Sequence, residues 1–243
     1  DIIISKNDYK LFKYKKLKSG VSGSGDFLGA LFLVYLSKGF SPFNSAKNAS
    51  KITHQILQFA KDLDTKTEQT LTNKNIGLIF EKNSTRTRLS FQVGINQLNG
   101  NFIDVRFEEL NLNRFESYED TFEVMSCYLD YLVFRTTDHK KLELAYKFFK
   151  KPIINALSDL SHPCQAISDI YTLKENFGTI DNLNIVWMGD MNNVLFSLLE
   201  VVDFTKNTKV DVFTDRKIYS QNKDNFNANN HINFHFEINE NII

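Results

Sequence analysis

From residue 75 onward, short apolar runs separated by polar turns set the plan of the chain. Ile76, Leu78, Ile79 and Phe80 read as a buried strand that stops at a polar turn. Leu89, Val93 and Leu98 then recur along one side of a helix, the change of period that marks a strand–turn–helix unit. The change repeats. Gly100 closes a turn into a strand at 101–105, and a helix at 116–129 leads to a strand at 130–136. A helix at 139–149 leads to a strand at 151–157, and residues 166–178 form another helix. Further on, 183–188 read as a buried strand, 193–199 as a helix, and 210–214 and 232–238 as strands flanking a polar, Asn-rich stretch at 220–230. Regular alternation of this kind predicts an α/β fold of parallel sheets with helices on both faces. Upstream, a glycine-rich loop runs into an apolar helix at 20–39, and Ile52, Ile56, Phe59, Ala60 and Leu63 have helical spacing. Residues 64–73 read as an exposed linker.

Composition narrows the class without changing this plan. With 243 residues, 42% of them hydrophobic, there is material for one sizeable core or two modest ones. Lys and Arg total 29, as do Asp and Glu, so no overall field recruits nucleic acid or an anionic membrane. No apolar run reaches the roughly 20 residues that span a bilayer. The two cysteines, Cys127 and Cys164, argue against a disulfide scaffold and for a reducing compartment, with the cytoplasm expected.

Candidate chemistry concentrates after the first of these strands. Ser84 stands where a helix N-cap belongs, so its hydroxyl and the N–H groups of Thr85, Arg86 and Thr87 would face one spot. The positive end of the helix, Arg86 and Arg88 suit that spot to phosphate oxygens. Two arginines and three hydroxyl residues in five positions outweigh the reading of an ordinary cap beside solvated arginines, though the residues name no particular phosphate ester. Parallel sheets bind ligands beyond the carboxyl ends of their strands, and both Ser84 and Arg135 follow a strand. A lone His at a loop-to-helix junction, such as His162, is most often a hydrogen-bonded structural residue. Cys164 reads as packing, since no neighbour in sequence would serve as its base. His231 and His235 are four apart in a strand context, which gives no shared metal face.

The run STRTR at Ser84, Thr85, Arg86, Thr87 and Arg88, preceded by Phe80 and Glu81, resembles the carbamoyl phosphate motif of the aspartate/ornithine carbamoyltransferase family. Arg135 at a strand end, the His-Pro-x-Gln pattern of His162 and Gln165, ESYEDT at 116–121 and Gly-Asp-x-Asn-Asn at 189–193 resemble that family as well. The resemblance implies a carbamoyltransferase-like two-domain arrangement, with a carbamoyl phosphate-binding domain at 56–160 and an incomplete amino-acid-binding domain at 161–243. It implies that Ser84, Thr85, Arg86 and Thr87 hold the phosphate of carbamoyl phosphate, and that Arg135, His162 and Gln165 are catalytic donors to its carbonyl. Asn193, with Asn192, would hold ornithine, whose side-chain amine attacks to give citrulline and phosphate. No metal, cofactor or covalent intermediate is implied, and the expected assembly is a homotrimer. The ornithine branch also has Asp-x-x-x-Ser-Met-Gly and His-Cys-Leu-Pro segments that do not occur in this sequence. Reduced stability of the second half is therefore expected, and a degenerate relative that binds carbamoyl phosphate without turnover is the alternative.

Residues 1–55 carry a second resemblance. VSGSGDFLGAL, with Gly23, Gly25 and Asp26, is similar to the late Gly-x-Gly-Asp segment of ribokinase-type and vitamin B6-type kinases, and 45–57 to the helix that follows it. The implied reading is a kinase-like remnant joined to another enzyme; the alternative makes 52–63 the first helix of the carbamoyltransferase itself.

Overall fold

The computed structural model describes residues 2–5, 9–10, 69–110, 112, 116–226 and 230–237. The chain divides into two compact units, Gly23–Ser168, and Asp1–Ser22 with Asp169–Ile243.

The first unit is built on a four-stranded parallel sheet in the order β4-β3-β5-β6, from β3 (Asn75–Phe80), β4 (Asn101–Val105), β5 (Tyr131–Arg135) and β6 (Ile153–Leu157). Residues 76–80 of β3 are buried throughout, as a strand covered on both faces must be. On one face Ile76, Leu78 and Phe80 pack with Val133, Ile154 and Ala156 against Phe91 and Ile95 of α1 (Thr85–Gln97). On the other, Ile79, Leu132 and Phe134 meet Phe122 of α2 (Tyr118–Tyr128) and Ala145 of α3 (His139–Phe148). Cys164 belongs to the first of these cores, and its thiol donates to the Asn155 carbonyl at 3.6 Å, so it packs as expected. ESYEDT is architectural: Ser117 caps α2 by accepting from Asp120 N, while its hydroxyl donates to the Asp120 carboxylate.

Two expectations fail in this unit. Leu89 and Val93 do not face the core; they are 53% and 52% exposed, and of the three apolar positions only Leu98 is buried. The buried stripe of α1 is Thr87, Phe91, Gly94 and Ile95, and two residues along a helix is a turn of about 200°. The run 64–73 is also not wholly an exposed linker. Its described part, 69–73, is a turn whose Leu71 is fully buried and donates its N–H to the Leu98 carbonyl (3.0 Å).

The second unit holds a five-stranded sheet in the order β2-β1-β7-β8-β9. Strands β7 (Asn184–Met188), β8 (Lys209–Phe213) and β9 (Ile232–His235) are parallel. β1 (Ile2–Ser5) pairs antiparallel with β7, and β2 (Tyr9–Lys10) with β1, so residues assigned by sequence to a kinase-like segment lie in this sheet. The glycine-rich segment with Gly23, Gly25 and Asp26 lies outside the described residues. Helix α4 (Pro163–Phe177) contains the division between the units, and α5 (Asn193–Val202) is apolar nearly all round. Helix α6 (Arg216–Asn222), not expected from the sequence, runs into the start of the polar stretch at 220–230; Asp215 caps it by accepting from Lys217 N and Ile218 N. Among the described residues no helix is long and apolar enough to cross a membrane.

Candidate active site

The β3–α1 turn delivers the expected helix N-terminus. Ser84 has the extended backbone of an N-cap (φ −150°, ψ 99°), yet its hydroxyl accepts no bond from the helix. Its carbonyl accepts the first helical bond, from Arg88 N at 3.1 Å, which leaves the N–H groups of Thr85, Arg86 and Thr87 ahead of the hydrogen-bond ladder. The cap hydroxyl is thus available to the same guest as those amides. Arg86 is exposed and, among the described residues, has no ion-pair partner. Arg88 is otherwise employed: its guanidinium donates to both Asp104 oxygens (2.9 and 2.8 Å) and lies 5.0 Å over the Phe80 ring. Its expected part in phosphate binding is corrected accordingly, to tying α1 to the edge strand β4.

Arg135 ends β5 directly opposite Phe80, at the point where the β5–β6 register shifts. The irregularity lets a strand-end side chain turn across the sheet edge, and Arg135 Nη1 reaches Thr87 Oγ1 at 3.4 Å. The two strand-end groups singled out in the sequence, the STRTR helix and Arg135, therefore meet. His162 and Gln165 stand at the start of α4, where Gln165 N and Ala166 N donate to the His162 carbonyl (3.0 and 3.2 Å). Burial, together with the charge of Arg135, lowers the His162 pKa to about 4. At neutral pH its ring is uncharged, with one N–H to donate, next to a permanent cation.

The loop carrying His162 is held by a network that sequence reasoning missed. Asn155 Nδ2 donates to Ser161 Oγ (2.7 Å), Ser161 N donates to Ser158 Oγ (3.0 Å), and Ser158 Oγ lies 2.8 Å from His139 Nδ1. A second group, named in the motif but given no role by the sequence reading, is Glu81. Its carboxylate accepts from Thr136 Oγ1 (2.6 Å), Thr137 N (3.0 Å) and Lys141 Nζ. Burial pushes the Glu81 pKa up, but the bonds from Lys141, Thr136 and Thr137 together outweigh it and hold the group below the usual range. A carboxylate at the very end of a buried strand was the available signal.

In the second unit, Asn192 and Asn193 follow β7 at the strand's carboxyl end. Asn192 Oδ1 accepts from Val194 N (3.0 Å) and Leu195 N (3.3 Å) as the cap of α5, whose first residue is Asn193. His235 pairs with Asp211 (2.7 Å) and stacks on Phe213; among the described residues no group of three His, Cys, Asp or Glu could hold a metal ion.

A family profile described as aspartate/ornithine carbamoyltransferase, carbamoyl-P binding domain, matches residues 43–175, more than half of the chain. The chain belongs to this carbamoyltransferase family. The match takes in 52–63, the segment whose alternative reading is a first helix of the carbamoyltransferase, and also 45–57. Among curated relatives, the ornithine carbamoyltransferase of Methanosphaera stadtmanae is 45% identical over 157 residues, 64% of this chain and 52% of that protein. The chain thus spans about half the length of the curated relatives it matches. Among solved structures, ornithine carbamoyltransferase from Thermus thermophilus has a TM-score of 0.69 at 30% identity, covering 77% of this chain and 65% of that one. Aspartate transcarbamoylase from Trypanosoma cruzi, solved with carbamoyl phosphate and aspartate, shares the fold at a TM-score of 0.64 and 21% identity, covering 83% and 68%.

Proposed function

We propose that this chain binds carbamoyl phosphate and transfers its carbamoyl group to the side-chain amine of ornithine, giving citrulline and phosphate. The observation that carries the reading is the meeting of Arg135 with the uncapped N-terminus of α1, at Thr87. In this reading Ser84, Thr85, Arg86 and Thr87 hold the phosphate through hydroxyls, backbone N–H groups and one guanidinium. Arg135, neutral His162 and Gln165 face the carbonyl oxygen. As the neutral amine attacks, the C–N bond forms and charge grows on that oxygen; the C–O bond to phosphate then breaks toward the helix N-terminus, and the proton shed by the amine nitrogen leaves with the phosphate. Donors already in place need not reorganise, and each contributes about 10²-fold or more in rate. Asn193, with Asn192, would hold the amino acid; the Asn pair and relatives named ornithine carbamoyltransferase favour ornithine over aspartate. A homotrimer, with its sites between subunits, is the proposed assembly.

The test is carbamoyl phosphate binding and citrulline formation by the purified chain, with Arg86→Ala as control. The expected result is binding that weakens by about tenfold or more in the control, as loss of a charge-assisted phosphate contact predicts, with citrulline formation lost alongside. Binding without turnover would identify the degenerate relative instead, and no binding would sink the carbamoyl phosphate reading. Running aspartate beside ornithine distinguishes the two amine acceptors.

A further inference from the structure

The anion site is assembled from two turns that the sheet does not join. Pairing of β3 with β5 ends at Phe80 and Arg135. Beyond that point one chain runs on to Ser84 and α1, the other to Thr136, Thr137 and α3. Glu81 spans the gap with both its backbone and its side chain. Its N–H donates to the Arg135 carbonyl at 2.9 Å. Its Oε2 accepts from Thr136 Oγ1 (2.6 Å), Thr137 N (3.0 Å) and Thr137 Oγ1 (3.3 Å), while Oε1 accepts from Lys141 Nζ in the first turns of α3. Thr136 is fully buried, and the Glu81 side chain is only 15% exposed. Lys141 is held from another side as well, 5.2 Å over the Phe107 ring. So dense a set of donors on one carboxylate fixes the turns relative to each other more tightly than a single backbone bond can.

We infer that Glu81 is a positioning residue for the carbamoyl phosphate site: its carboxylate locks the turn after β5 to the turn after β3, so that Arg135 and the N-terminus of α1 converge on one anion. The inference rests on the proposed carbamoyl phosphate reading of that site. Lys141 has a second part in it. A carboxylate three residues from Ser84 would repel phosphate, and the Lys141 ammonium cancels that charge. Removing either partner therefore harms anion binding, although neither touches the ligand.

Calorimetric titration with carbamoyl phosphate, and separately with inorganic phosphate, tests this on wild type, Glu81→Gln, Lys141→Met and the double variant, with melting temperatures recorded alongside. Both single variants are expected to bind about tenfold more weakly, the size of a lost hydrogen bond to a charged group. The double variant should lose less than the sum of the two, since the charges act as a pair. Lys141→Arg, which keeps the ion pair, should restore binding. Wild-type affinity in a folded Glu81→Gln overturns the inference and leaves the site reading standing. If Glu81→Gln does not fold, the partly exposed Lys141→Met decides in its place: unchanged affinity there overturns the inference. Binding that falls only in proportion to a drop in melting temperature, and that Lys141→Arg does not restore, marks a merely structural role and overturns it too. Failure of the wild type to bind either ligand removes the site reading and the inference together.

Discussion

His162 shows how much of a residue's role is set by its surroundings. Free histidine near pH 6.5 would carry a fractional charge, whereas burial first, and Arg135 second, bring His162 down to about 4. Since the folded value lies below the unfolded one, the unfolded chain binds the extra proton between these two pH values. The stabilising contribution of the neutral ring is complete above about 6.5 and is lost as pH falls toward 4, up to roughly 3 kcal/mol. An NMR titration should therefore show no His162 step between pH 5.5 and 8; a midpoint near 6.5 would mean that the ring is not buried beside Arg135. Arg88 teaches the converse. Sequence offered it and Arg86 as equivalent phosphate ligands, but Asp104, on a strand sixteen residues away, takes Arg88 and leaves Arg86. A charge pattern gives the supply of cations; the partners that claim them come from elsewhere in the chain.

At the scale of elements, what was legible followed from local chemistry. Ser117 with Asp120 and Asp138 before α3 mark helix starts because a cap is satisfied within three residues, and Pro163 at the first position of α4 does so because its fixed φ suits a first turn that needs no N–H. The end of α1 was read only in part. Gly100 does close the turn, yet Asn99 takes the left-handed conformation (φ 62°). Gly100 is needed for space: a Cβ there would stand 2.9 Å from Leu71 Cβ and 3.0 Å from Ile95 Cγ2. Gly100→Ala should therefore cost about 1–3 kcal/mol in chemical denaturation, the range for an overpacked core, and a neutral result would show that the Leu71 turn can give way. The outward direction of Leu89 and Val93 was not legible either, because Phe91 and Ile95 offer a second apolar stripe and only the sheet decides which one is buried.

Across the whole molecule, the two sheets differ in how their strands are recruited. The first is formed from four strands consecutive in the chain, with β3 between β4 and β5, while the second draws residues 2–5 from far upstream onto β7. The proposed homotrimer would use apolar surface that the isolated chain exposes, and Leu89 and Val93 on α1 offer it. Light scattering of Leu89→Lys with Val93→Lys should show a smaller species than wild type at an unchanged melting temperature of the subunit; identical mass would place any association elsewhere. The α/β class, the strand–turn–helix units and the residue types of the anion site were legible without coordinates, because hydrophobic period, capping and motif spacing act over a few neighbouring residues. Only the folded chain brings Arg135 to Thr87, lets Asp104 claim Arg88, and sets Glu81 against Thr136, Thr137 and Lys141. These pairings link residues 16 to 60 positions apart, and their geometry follows from strand order and register.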